Sequence, residues 1–229
     1  MNKTERELAK LVKPIFEAKG FVLNKDWNSF VRYTDYGFDD FMIVDQGHLD
    51  YDYTTTVGCA FGVRHDVIQN LYNSMGFIYG EDAQKQNVTL ALSYPFIPWQ
   101  SRESPLKIHQ ETRAEDMQKI AQIFTESFKQ QALPFYEKYA DLREIEAKLN
   151  KTPMANIWPY TAGSVDPDTQ VVISLLCAKA VNSSRYDAVK LAYIDKYIEY
   201  DAVPEPYRQR RIKILSILDE IKLSNLNLK

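Results

Sequence analysis

Residues 45 to 53 read "DQGHLDYDY" and place Asp45, His48, Asp50 and Asp52 within eight positions. Imidazole with carboxylates is the chemistry of divalent-metal binding and of general acid and base transfer. In an extended segment His48, Asp50 and Asp52 point to one side, because successive side chains of a strand alternate. The plainer reading is a hairpin tip that is polar because it is wet. The wider run supports a third. From Asp35 to Asp52 there are six Asp (35, 39, 40, 45, 50 and 52) and no Lys or Arg. Such a stretch suits another protein with a basic surface, by charge complementarity. Asp39, Asp40, Asp45, His48, Asp50 and Asp52 are therefore candidate partner-binding residues. "SYPFIPWQSR" at 93 to 102 adds Trp99 and Arg102, residue types that anchor interfaces.

Other chemistries have less to stand on. No glycine-rich phosphate loop occurs, and the serines lack a G-x-S-x-G setting. Cys59 and Cys177 lie in apolar runs without metal spacing, the setting of reduced, buried thiols. His65 and His109 stand singly at element ends and read as caps or surface groups. "RQRR" at 208 to 211 opens the last helix, where cations oppose the helix dipole, and so calls for an acidic neighbour such as Glu205 or the Asp-rich run. No catalytic residue, cofactor or metal is assigned. A formal net charge of -3 weighs against nucleic acid as the partner. No stretch of about 18 apolar residues and no signal segment is present, so no membrane role and a cytoplasmic location are expected.

These residues must be held by a fold, and 229 residues with 45% apolar and 26% charged content can build one. The N-terminal "TERE" is a capping box, Thr4 with Glu7. Leu8, Leu11, Val12, Ile15 and Phe16 then repeat at helical spacing, Pro14 predicts a bend and Gly20 a stop. Strands are expected over 21–25, 28–35, 39–46, 52–64 and 87–97, with a helix at 65–76. In "YDYTTTVGCAFGV" (51–63) the odd positions are mostly bulky, whereas Thr54, Thr56, Gly58, Ala60 and Gly62 are small. The odd side faces a core. The small side is either covered by the helix at 112–133, the preferred reading, or open as a docking floor. "TRAE" at 112–115 predicts a second capping box, and Pro134 a kink or stop. A helix at 141–150 follows, then about eighteen residues without periodicity, 151 onward, the length of a functional or self-packed loop. Helices at 168–182, 184–200 and 206–222 complete the chain, with Asp166 and Pro167 as a helix start. The fold class is α+β: an antiparallel sheet of about five strands covered by helices, in a domain of residues 1–150, with a helical C-terminal region at 151–229 packed on it.

The order of elements resembles the domain-of-unknown-function family numbered 4304. There a helix ending "P-x-hydrophobic-x-x-x-GF" precedes an aromatic "F-x-R" strand and a "hydrophobic-x-x-Q" strand. Pro14, Gly20, Phe21, Phe30, Arg32 and Gln46 match that pattern, over roughly residues 5–150. The acidic hairpin and long tail depart from it. The resemblance implies an α+β fold without an established activity, in a group of bacterial domains often found as immunity or accessory proteins beside toxins. The expected function is therefore non-enzymatic protein binding, such as an immunity-type protein neutralising a toxin through an acidic surface. The alternatives are a metal-dependent hydrolase or nuclease on the Asp/His hairpin at 45–52, and a structural oligomer formed through the C-terminal helices.

Overall fold

The computed structural model describes residues 1–48, 55–76, 80–94, 106–153, 160–161, 167–181, 184–198 and 204–221. The architecture is α+β. The chain divides into two compact units, one of residues 1–63 and 91–138, the other of 64–90 and 139–229.

The first unit opens with α1 (Lys3–Glu17). Its cap lies two residues earlier than the sequence reading places it. Asn2 accepts from the backbone N–H of Glu5, and the Glu5 carboxylate accepts from that of Asn2. The same box geometry is satisfied two positions earlier, which leaves Thr4 inside the helix and buried. Gly20 ends the turn beyond α1 at φ +82°, a conformation that a Cβ disfavours. Antiparallel pairing then runs from β1 (Val22–Asn24) through β2 (Ser29–Thr34) to β3 (Gly37–His48). β4 (Thr55–His65) and β5 (Leu90–Tyr94) continue the order β1-β2-β3-β4-β5, and β6 (Lys107–Ile108) pairs with the start of β4. The turn between β1 and β2 is held by Asn24, whose Oδ1 accepts from the N–H groups of Asp26 and Trp27.

One face of this sheet is packed by aromatic rings. Phe16 of α1 stacks on Phe128 at 3.9 Å and meets Phe30 and Phe41 at 4.7 and 4.8 Å. Phe41 and Phe61 stack at 6.0 Å, so β3 and β4 present these residues to the same side, and Phe61 meets Phe135 at 5.3 Å. The helical rod covering that side runs unbroken from α4 (Arg113–Ser127) through a π-helical turn (Phe128–Ala132) to α5 (Leu133–Tyr139). Since α5 continues to Tyr139, the rod does not stop at Pro134. The wide turn just before it, where Leu133 N–H reaches back to Phe128 O, accommodates a residue that lacks a donor and crowds the preceding carbonyl. The "TRAE" box does not form either. Thr112 makes no cap bond; its hydroxyl and the His109 N–H both donate to Asp116 instead.

The helix at 112–133 thus lies on the bulky side of β4, not on the small one. Large rings bury more apolar area against the helical stripe than glycine and alanine would. The small side is not an open floor: Thr56, Gly58 and Gly62 are buried and Ala60 is half-buried.

The second unit is mainly helical. It holds α2 (Asp66–Ser74), α3 (Glu81–Gln86), α6 (Leu142–Asn150), the short β7 (Tyr160–Thr161), α7 (Pro167–Ala180), α8 (Tyr186–Tyr197) and α9 (Glu205–Glu220). α7 is central. Every residue from Val171 to Ala178 is buried, as expected of a helix apolar on all sides, and α2, α6, α8 and α9 pack around it. α2 and α6, which the sequence reading groups with the sheet, therefore share a core with the C-terminal helices. The aperiodic stretch after 150 lies outside the described residues except at 151–153 and 160–161.

Candidate functional site

The β2–β3 hairpin turns at Asp35 and Tyr36 and pairs Thr34 with Gly37, Arg32 with Asp39 and Val31 with Asp40. Alternation along β3 sends the two adjacent carboxylates to opposite faces of the sheet. Asp39 joins Phe30, Arg32 and Phe41 on the helix-covered face. Asp40 joins Ser29, Val31, Tyr33, Phe38 and Met42 on the other, which β4 extends with the small side of Gly58, Ala60 and Gly62.

Asp39 is wholly unexposed and fully bonded. Arg32 donates from Nε and Nη2 to its Oδ2 at 2.9 and 2.6 Å, and the Tyr36 hydroxyl donates to Oδ1 at 2.7 Å. The Arg32 guanidinium also lies over the rings of Phe21 (4.9 Å) and Tyr136 (5.7 Å). Burial and the bond to Asp39 push the Tyr36 hydroxyl pKa up, so this phenol stays a donor. Burial does the same to Tyr136, whose hydroxyl donates to the backbone carbonyl of Asp40 at 2.7 Å.

Asp40 is 9% exposed, yet its Oδ1 is enclosed without a hydrogen-bond partner, and the enclosed Ser29 Oγ has none. Burial pushes the Asp40 carboxyl up to about 7, and the neighbouring Ser29 hydroxyl, short of full bonding geometry, opposes this. The outcome is a carboxyl that exchanges its proton near neutrality, donating when protonated and attracting cations when ionised.

The acidic run is thus divided among different tasks. Asp39 and Asp40 are buried, so neither lends charge to an outer surface, whereas Asp35 in the turn is exposed. Asp45 fastens the end of β3 to the α1 cap: it accepts from Asn2 Nδ2 at 2.9 Å, and its own N–H donates to Glu5 at 3.2 Å. His48 ends β3, while Asp50, Asp52, Trp99 and Arg102 lie outside the described residues. Ser29, Arg32, Tyr36 and Tyr136 are the site residues that the sequence reading did not assign. A two-residue turn followed by glycine at "DYG" carries the signal for the Arg32–Asp39 pairing; nothing local signals Tyr136, nearly a hundred positions away.

The remaining candidates have structural partners. His65 stands at the N-cap position of α2 but is buried, and its ring makes no capping bond. Its Nε2 donates to Tyr139 O at 2.9 Å and its N–H to Thr89 Oγ1, because β4 carries it into the core of the second unit. His109 is exposed, with Nδ1 3.1 Å from Asp116. Cys59 and Cys177 are buried free thiols whose pKa burial raises, which suppresses thiolate chemistry. The cations of "RQRR" meet Glu205, as expected, and Asp168 at the start of α7, which pairs with Arg210 and Arg211 at 3.6 and 3.2 Å.

Of the exposed large apolar residues described in the first unit, Leu11 lies on α1, and the two most exposed belong to the Asp40 face. Tyr33 is 70% and Val22 63% exposed, and the register of β1, β2 and β3 puts both on that side. Beneath Tyr33 lies buried Phe38 (6.5 Å between rings), which Trp27 meets at 5.1 Å. No protein-family model, curated protein or solved structure matches the chain.

Proposed function

We propose that the chain is a non-enzymatic protein-binding module whose docking surface is the rim formed by Val22, Trp27 and Tyr33. The observation that carries this reading is the exposure of Tyr33, a tyrosine ring presented to solvent on a rigid strand and supported from below by Phe38. Tyrosine and tryptophan are enriched among residues that dominate binding energy, since they bring area and a polar tip at low entropy cost. Exposed Asp35 stands two residues on, in the adjoining turn, and suits a partner with a basic surface. The resemblance to the family numbered 4304 gives the reading its sharpest form, an immunity-type protein that masks a toxin.

The test is a photo-crosslinking side chain placed at position 33 in the native host. One discrete adduct is expected, and the protein in it should bind the purified chain about tenfold or more weakly after Tyr33→Ala, the loss expected at an interface anchor. Undiminished affinity in Tyr33→Ala, or no adduct at 33, overturns the reading.

A second reading, a structural oligomer through the C-terminal helices, is favoured by Leu191 on α8 and Ile212 on α9, which are 65% and 44% exposed. Light scattering on the wild type and on Leu191→Glu decides it: a mass above the monomer that falls in the variant supports oligomerisation, and a monomeric wild type removes it.

A further inference from the structure

We propose that the Asp40 carboxyl and the Ser29 hydroxyl, on the small-residue face of the sheet, bind a small organic cation bearing N–H donors, an ammonium or guanidinium group. Two buried polar atoms face the same side from neighbouring strands, since Val31 pairs with Asp40 and Ser29 with Met42. Neither atom meets a partner at hydrogen-bonding geometry, Ser29 acting on Asp40 only as a near neighbour. A buried polar atom left unbonded costs about 1–3 kcal/mol, and folded proteins rarely keep two side by side without a use. The contrast with Asp39, bonded through both oxygens one residue earlier, shows that this hairpin can pair a buried carboxylate completely.

The neighbouring strand gives the pair no donor on this side either. On this face β4 offers Gly58, Ala60 and Gly62, none of which can supply a side-chain donor to Asp40. Glycine within a strand commonly marks a place where a ligand or another backbone comes close.

The chemistry of the two atoms narrows the class. An ionised carboxylate accepts hydrogen bonds only, and a hydroxyl can accept alongside it, so the ligand must donate and carry positive charge. Anions are repelled. A hard metal ion wants six or more oxygens, and Asp39, the nearest further carboxylate along β3, is turned to the opposite face. Ammonium and guanidinium groups bring several donors and need few acceptors. Nine-tenths enclosure of Asp40 fits a small free molecule better than a side chain carried on a folded partner, so the inference is independent of the docking rim.

The experiment follows the Asp carboxyl carbons by NMR through a pH titration. Methylguanidinium and methylammonium chlorides are added separately, with tetramethylammonium chloride at equal ionic strength as a cation without donors. At least one donor-bearing cation is expected to lower the Asp40 midpoint saturably, by about one unit or more, a tenfold preference for the ionised form. It should also raise the Tm of the wild type but not of Asp40→Asn, and act more weakly on Ser29→Ala. Tetramethylammonium should do neither. An unmoved Asp40 resonance with both donor-bearing cations overturns the proposal, as does an equal Tm rise in Asp40→Asn. If that variant does not fold, the wild-type resonance alone decides.

Discussion

On the helix-covered face of the sheet Asp39 is held by Arg32 and Tyr36 through both oxygens, whereas Asp40, the next residue, reaches the opposite face and finds no donor. The first face carries its charge inside a wall of phenylalanines; the second carries it among small residues. Burial alone therefore does not determine what a carboxylate does. Its partners decide, and they depend on which side of the strand it leaves from. The largest effect is expected from breaking the paired side. Arg32→Met strips Asp39 of its cation in a fully buried place and removes the stacking on Phe21 and Tyr136. A loss of about 5 kcal/mol is expected in urea unfolding at neutral pH. Replacing both, Arg32→Met with Asp39→Leu, should restore most of it. If the double variant is as unstable as the single, the ion pair is not what this face depends on.

Asp40 gives the next largest effect, with the opposite sign. Its folded pKa lies above the ordinary carboxylate value, so the folded chain holds a proton that the unfolded chain releases. Stability is then full below pH 4, declines as pH rises toward 7, and levels off above it. A rise of about three units corresponds to ~4 kcal/mol between those limits. Asp40→Asn should be more stable than wild type at pH 8 by a similar amount and about equal to it at pH 4, with unchanged denaturant slopes. Equal differences at the two pH values would show that Asp40 ionises as freely as an exposed carboxylate and would erase the contrast between the faces.

Much of the first face was legible along the chain. The period-two alternation of residues 51 to 63 marks β4 and its bulky side, and the helical repeat from Leu8 to Phe16 marks α1 with its Gly20 stop. Placement across the sheet was less so. The aromatic stripe of the 112–133 helix suits either side of β4, and the meeting of Phe124 and Phe128 with Phe41, which stacks on Phe61, selects the bulky one. The acidic run reads as surface because charge is usually solvated. The pairing of Asp39 with Arg32 depends on hairpin register, and the isolation of Asp40 depends on what other strands fail to supply. His65 reads as an element end and is one, but that end is buried and bonded to the carbonyl of Tyr139, far along the chain.

The smallest effect tests the clip between α1 and β3. Asn2 caps α1 and also donates to Asp45, while Glu5 accepts from the Asp45 N–H, so one cap joins the helix to the strand that carries both aspartates. Asn2→Ala is expected to cost about 1 kcal/mol. Thr4, which the sequence favours as the cap, contributes only a bond from Arg113 at 3.2 Å, so Thr4→Val should cost less than half as much. The clip lies on α1, which covers the Asp39 side alone. Asn2→Ala should therefore weaken the helix-covered face and leave the Asp40 carboxyl titration where it was, near 7. A shift of that midpoint in Asn2→Ala would show that the two faces are coupled through β3 instead of standing as separate environments.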